Sequence, residues 1–393
     1  MTNSDSIYTL NFGLVCISSL LFLASFNMLI PELPAYLNSL GGEEYIGLII
    51  ALFTLTAGIS RPFSGKLTDS IGRKPVMLIG ASVCLFCGFL YPVLTTVIGF
   101  LLLRLIHGFS TGFSPTAFSA YVSDIVSSKK WGEALGIQSL FFSLGLALGP
   151  ALGSSIKLYF SFNVLFYSSS LMAFLSMAMI MNLQETLPNK RKFSFSTLKL
   201  GRNDIIAKEA LPPAFVTLLS YLSFGIILTL VPIWTEHLGA KNKGLFFIVF
   251  TISSLFVRFL AGKLSDKYSR TLMISIGLVF LGVSLVLIGT METLYGLVFG
   301  AVLYGIGMGI VSPSLSAWTI DLSYSETKGK AIATMFIALE IGIGGGALLS
   351  GWYYQNEITH IPTVFYTCSC AVLVAFLYVA LIYRQNKKAD FYA

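Results

Sequence analysis

The sequence predicts an all-α polytopic membrane protein with twelve transmembrane helices in two parallel, pseudo-symmetric six-helix bundles. Three observations predict it. The first is composition: 55% of the 393 residues are apolar and 11% charged, with a mean hydropathy of +0.81, where a soluble chain carries roughly a quarter charged residues. The second is run length. Apolar runs of about 18 residues or more cross a bilayer as helices, because a helix satisfies its own backbone in hydrocarbon. The third is an internal repeat. Gly65-Lys66-Leu67-Thr68-Asp69-Ser70-Ile71-Gly72-Arg73-Lys74-Pro75 returns as Gly262-Lys263-Leu264-Ser265-Asp266-Lys267-Tyr268-Ser269-Arg270, 197 positions later. Arg61 stands four residues before the first copy and Arg258 four before the second. A fixed offset of half the chain marks a duplicated unit.

Taken in order, the first helix is expected at 10–38. No basic region precedes it and no cleavage site follows, so it reads as a first span and not a removed signal. Near its outer end, Pro31 and Pro34 bracket Glu32 and break the backbone ladder. The second helix, 44–64, runs into the charged turn. The third, 74–97, holds Cys84 and Cys87, a spacing known from redox and metal sites. With no second pair or histidine beside it, the pair reads as small buried residues and no metal is expected. The fourth, 99–123, carries Arg104 and His107 and is closed by Asp124. The fifth, 131–156, has glycines at four-residue spacing around Pro150, and the sixth is expected at 161–183. The long polar stretch 184–209 is a linker. Helices at 211–237, 243–263, 271–290, 293–322, 330–353 and 362–384 then repeat the unit. The domains are therefore 1–183 and 210–393. Further matches support them: Pro34, Leu40 and Gly41 answer to Pro232, Leu238 and Gly239, Ser114-Pro115 to Ser312-Pro313, and Asp124 to Asp321.

The net charge of +7 is a topology signal, not a nucleic-acid footprint. With twelve spans, nineteen Lys and Arg fall in loops and termini on one side, and three (Lys157, Lys241 and Lys243) fall on the other. Basic residues accumulate on the cytoplasmic side of such proteins. Both termini are therefore expected in the cytoplasm, in a multi-pass protein of the plasma (inner) membrane. An even number of helices per unit keeps the halves parallel. Transporters built from such repeats bind substrate at the midplane, between halves that rock against each other.

Three motifs carry a resemblance. Gly65-x3-Asp69-x2-Gly72-Arg73-Lys74 resembles the signature loop of the major facilitator superfamily. Arg104-x2-His107-Gly108-x3-Gly112 is similar to its fourth-helix motif, with histidine where glutamine is usual. Gly136-x8-Gly145-x3-Gly149-Pro150-x2-Gly153 is similar to the fifth-helix motif of proton-coupled exporters, with Ser154 in place of a final glycine. The resemblance covers nearly the whole chain. It implies a twelve-helix drug or metabolite exporter that exchanges substrate for protons, needs no cofactor and is driven by the proton gradient.

The charges sort into two groups. Arg61, Asp69, Arg73 and Asp124, with Gly65 and Gly72, are repeated by Arg258, Asp266, Arg270 and Asp321, with Gly262. Charges at a membrane edge are costly unless paired, so each set is expected to form a network that latches the cytoplasmic side. Glu32, Arg104, Glu236 and Glu340 have no charged counterpart at the matching position of the other half, which suits substrate or proton sites. Glu340 lies near mid-membrane, where holding a bare charge is expensive and taking up a proton relieves the cost. Arg104 could hold an anionic group or tune a proton site. His107 could titrate or replace glutamine's hydrogen bond. Asn27 occupies a depth where a coupling carboxylate is expected. Glu236 reads as an outer-rim residue. Gly108-x-Ser110-x-Gly112 imitates a hydrolase elbow, but in mid-helix it cannot form one. No enzyme is expected.

The expected function is export of a small organic compound by proton antiport through alternating access. The alternative is a symporter or facilitator importing a sugar or carboxylate, and a remote one is a non-transporting receptor. Expected partners are a small-molecule substrate, protons and the lipid bilayer, without nucleic acid. With no oligomer seam in the pattern, a monomer is expected.

Overall fold

The computed structural model describes residues 7–127, 130–188, 190–191, 193–194, 206–265, 269–323 and 328–392, which are nearly all helical and contain no strand. The helices are α1 (Leu10–Asn27), α2 (Leu33–Ser39), α3 (Ile46–Ser70), α4 (Arg73–Leu90), α5 (Val97–Ile125), α6 (Trp131–Tyr159) and α7 (Phe162–Met181), then α8 (Leu211–His237), α9 (Leu245–Ser265), α10 (Arg270–Thr290), α11 (Leu294–Asp321), α12 (Lys328–Tyr354) and α13 (Ile361–Tyr392). Among the described residues eleven helices are long and apolar enough to cross a membrane, and α9 is apolar over Leu245–Arg258.

Several boundaries differ from the sequence reading: the helix expected at 74–97 ends at Leu90, the one expected at 362–384 runs to Tyr392, and two further differences bear on the site. The helix expected at 10–38 is two helices, because the chain leaves the α1 ladder after Asn27 and resumes at Leu33. The prolines that bracket Glu32 supply no amide hydrogen to carry it through. The second difference is the charged turn expected at 65–75. It shrinks to two residues: α3 continues to Ser70, α4 starts at Arg73, and between them, after Ile71, Gly72 has φ of +122°, a conformation glycine adopts freely.

Duplication reaches the helix caps. Thr96 accepts a hydrogen bond from Gly99 N at 3.1 Å at the start of α5, and Thr293 accepts one from Gly296 N at 3.1 Å at the start of α11. Such caps satisfy amides that the first helical turn leaves open.

The chain divides into two compact units, one from Met1–Gly41 and Leu55–Gly201, the other from Gly42–Thr54 and Arg202–Ala393. Helix α3 thus contributes its first turns to the second unit and the rest to the first. Inside the first unit the glycines of α6 lie on the backbone of α1. A methyl group on Gly145 would stand 2.6 Å from Leu20 O and one on Gly149 3.0 Å from Ala24 O, while one on Gly153 would run into Met28 O. Small residues let membrane helices approach this closely. In the second unit Gly342 and Gly346 of α12, the repeat positions of Gly145 and Gly149, abut Leu218 O and Leu222 O of α8. Serines add interhelical bonds: Ser169 Oγ of α7 donates to Ser25 O at 2.6 Å, and Ser176 Oγ donates to Ser18 O at 2.7 Å, both on α1.

Candidate functional site

At the α3–α4 turn the Arg73 guanidinium gathers three acceptors. Its Nε donates to Asp124 Oδ2 at 2.9 Å. Its Nη1 donates to Thr68 O at 2.6 Å and to Asp69 Oδ1 at 3.2 Å. Asp69 and Arg73 therefore meet across the turn, as their spacing suggested, but the shorter bridge runs to Asp124 at the end of α5. That bridge is also the better shielded, since the Asp124 side chain is 28% exposed and that of Asp69 76%.

A residue that sequence reasoning passed over completes this cluster. Glu185, just beyond α7, accepts from Arg73 N at 3.0 Å and Lys74 N at 3.2 Å, closing the open amides at the start of α4 with a negative charge. Thr186 Oγ1 donates to Asp124 Oδ2 at 2.5 Å, and Lys74 Nζ donates to Met181 O at 2.7 Å. A side chain at Gly72 would collide with the Glu185 carboxylate, so this glycine is needed for space as well as for its φ. Of the other predicted members, Arg61 lies half-buried within α3, and Gly65 is a helical position where an added methyl would meet nothing within 4 Å.

The second turn keeps the main bridge. Arg270 Nε donates to Asp321 Oδ2 at 3.1 Å, joining the start of α10 to the end of α11. Arg258 and Gly262 lie in α9. Asp266 lies outside the described residues. Here Ser269 caps its own helix, accepting from Leu272 N at 3.2 Å.

Within the first unit, Arg104 heads a buried polar chain. Its Nη1 donates to Tyr91 OH at 3.3 Å. Tyr91 OH lies 3.2 Å from His107 Nδ1, and His107 Nε2 lies 3.3 Å from Cys84 Sγ. Arg104 and His107 are 1% and 0% exposed. An order consistent with these three contacts runs Arg104 Nη1–H to Tyr91, Tyr91 O–H to Nδ1, and Nε2–H to Cys84, the pattern of a neutral imidazole. Tyr91 is in turn held at its carbonyl by Tyr36 OH at 3.0 Å. The ring of His107 packs edge-on against Phe26 at 6.4 Å, next to the buried Phe22 and Phe118. The sequence marked Arg104 and His107; it gave no sign of Tyr91, whose place depends on the end of α4 meeting α5.

Glu32 is 4% exposed and accepts from Ser154 Oγ at 2.7 Å. The serine that departs from the fifth-helix motif thus supplies a proton donor to the carboxylate in the α1–α2 break. Asn27, 2% exposed, donates from Nδ2 to Leu23 O at 2.8 Å. Gly145, Gly149 and Gly153 form the α6 seam on α1 with Pro150 inside the helix, while Gly136 has nothing within 4 Å of its added methyl.

In the second unit Glu340 is 7% exposed on α12. Nearby, Tyr221 OH donates to Ser312 Oγ at 3.1 Å, and both Arg258 and Glu340 stand within electrostatic reach of that phenol. Tyr221, Arg258, Ser312 and Glu340, on α8, α9, α11 and α12, therefore contribute polar groups to one region, of which only Glu340 is buried. Glu236 pairs with Lys243 at 2.7 Å.

The family model described as Major Facilitator Superfamily matches residues 15–207 and 213–390. The chain belongs to the major facilitator superfamily. Among its relatives is the multi-drug resistance efflux pump PmrA homolog of Lactococcus lactis, 26% identical over 340 residues, covering 83% of this chain and 84% of that one. Multidrug resistance protein 1 of Bacillus subtilis is 22% identical, covering 93% and 95%, and quinolone resistance protein NorA of Staphylococcus aureus is 24% identical, covering 92% and 93%. Among solved structures, the human organic anion transporter MFSD10 aligns with a TM-score of 0.73 at 22% identity over 94% of this chain and 98% of its own. The D-xylose-proton symporter aligns at 0.76 and 15% over 94% and 96%. At these identities the solved structures share the fold. The protein is a multi-pass membrane transporter of small molecules, not an enzyme.

Proposed function

We propose that this transporter exports a small, amphipathic organic compound in exchange for protons by alternating access. It works as a monomer in the inner membrane, with both termini and the linker 184–209 in the cytoplasm between six-helix domains 1–183 and 210–393. The observation that carries the alternating-access part is the matched bridge, Arg73 to Asp124 in one unit and Arg270 to Asp321 in the other. Each joins a short turn to the end of a different helix, a contact that can break and reform without unfolding either helix. The efflux pumps among its relatives support the export direction, and the glycine seam of α6 supports exchange. A tight seam resists ion leak, as exchange requires.

Glu340 is the proposed proton or cation site, and Arg104 with His107 tunes the first unit from a fixed position. Glu32, held by Ser154, and Asn27 belong to the proposed substrate or proton path. The test is reconstitution in vesicles with a pH-sensitive dye in the lumen and a fluorescent lipophilic cation as substrate. Substrate uptake into acid-loaded vesicles should alkalise the lumen, and Glu340→Gln should abolish the coupled pH change. Movement of substrate and protons in the same direction would replace this reading with symport.

A further inference from the structure

The second unit holds a cavity that the transport reading does not use. It is about 640 Å³ and lies among α8, α12 and α13, between Leu211, Phe215, Leu218, Ile337, Ala338 and Tyr378. That size falls in the range of about 300–1,000 Å³ typical of small-molecule sites. Its wall is almost wholly apolar, and several of its residues are open to the surroundings: Leu211 is 50% exposed, Phe215 42% and Ile341 57%. In a membrane transporter such a face meets acyl chains.

One end of this groove is basic and structurally tied. Ala207 N donates to Thr334 Oγ1 at 2.9 Å, and Thr334 Oγ1 donates to Lys330 O at 2.9 Å. Ala207 and Ala210 pack on Ala331. These contacts bring the backbone at Lys208 close to that at Lys330, beside Thr334 and Ile206 of the groove wall. Lys208 is exposed, Lys330 is half-buried, and Glu209, next to Lys208 in the chain, is half-buried. The short 208–210 turn and the first turns of α12 thus bring the backbones of two lysines together at the end of the apolar cleft. Basic pockets between membrane helices on the cytoplasmic side suit lipid headgroup phosphates, and an apolar cleft suits an acyl chain.

We propose that this groove is a binding site for an anionic phospholipid, with one acyl chain between α8, α12 and α13 and the headgroup phosphate at Lys208 and Lys330. The ligand is a lipid of the leaflet that the linker faces. The site ties the end of the linker to α8 and α12, the pair joined by the Gly342–Gly346 seam. The inference rests on the membrane placement of the chain and is independent of the direction of transport.

The experiment uses the purified full chain and a phosphatidylglycerol probe with a photoactivatable acyl chain, with the matching phosphatidylcholine probe as control. Labelled residues are mapped by mass spectrometry. Phosphatidylglycerol should label the walls of α8, α12 and α13 at least fivefold more than phosphatidylcholine. Lys208→Gln with Lys330→Gln should erase that preference while leaving acyl labelling, and Ala338→Phe should cut labelling by both probes about tenfold. Equal labelling by the two probes in the unaltered chain would overturn the proposal. So would undiminished labelling of Ala338→Phe or displacement of the probe by a lipophilic cation alone, which would make the groove a substrate site. Because no transport is measured, failure here is distinguishable from failure of the antiport reading, which the pH-dye experiment reports.

Discussion

The two charged turns share a bridge and differ in the group that closes the helix beside it. Arg73 reaches Asp124 at 2.9 Å, and Arg270 reaches Asp321 at 3.1 Å. The α10 amides are then closed by Ser269, one residue away. The α4 amides are closed by Glu185, more than a hundred residues along the chain. A local cap leaves its turn independent of the rest of the unit. A distant carboxylate makes the first turn feel the end of α7 and the start of the linker. Duplication therefore preserved the part that two units need alike, and the first unit added a tether where the chain leaves it.

The glycine seams make the same comparison in the interior, and breaking them should give the largest effect. Gly153→Val in the first unit and Gly346→Val in the second each drive a side chain into a neighbouring backbone. Overpacking of this kind costs about 1–3 kcal/mol or more, so folded yield and thermal stability in detergent should fall sharply for both. Gly136→Ala and Gly345→Ala meet no atom within 4 Å and should be neutral or stabilising by up to about 1 kcal/mol. Loss of transport in a well-folded Gly136→Ala would show a role beyond packing.

Next in size, Arg73→Gln should lower the transport rate about tenfold, since it removes charge-assisted bonds worth about 1.5–3 kcal/mol each. Arg270→Gln should lower it less, because its bridge is longer and its aspartate more exposed, 51% against 28%, so water screens it more. Equal losses, measured as initial rates in vesicles, would mean that the shielding of the bridge does not matter.

A smaller effect separates the caps. Glu185→Gln weakens a charged cap and should cost about 1 kcal/mol, with faster proteolysis within 184–209 as the readout of the lost tether. Ser269→Ala should cost a similar amount in stability and leave that proteolysis unchanged. The smallest difference is expected for Thr96→Ala against Thr293→Ala. Both caps accept one bond at 3.1 Å, so thermal shifts should match, each near about 1 kcal/mol.

Much of this is legible in the sequence. The apolar runs, the repeat and the basic asymmetry sufficed for the helices and their duplication. Asp124 was expected in the network because the same aspartate recurs at the matched position of the second half, but that Arg73 bridges it more closely than Asp69 was not. The break after Asn27 was only half legible: the prolines announced a disturbance, but not that five residues would leave the helix. Glu185 carried no signal, because its role depends on where the end of α7 arrives beside α4. Ser154 was visible as a departure from a motif, and its reason, a bond to Glu32, emerges only when α6 lies on α1.

What the sequence by itself determined is the set of elements and their symmetry, because helix length, hydropathy and repeat spacing are properties of neighbours along the chain. The tertiary structure decided which polar groups meet: Arg104 with Tyr91, Glu32 with Ser154, Arg73's amide with Glu185. Each of those partners lies on a different element, and a buried donor or acceptor is satisfied by whichever group the packing of helices brings within about 3 Å. No spacing along one chain encodes that distance.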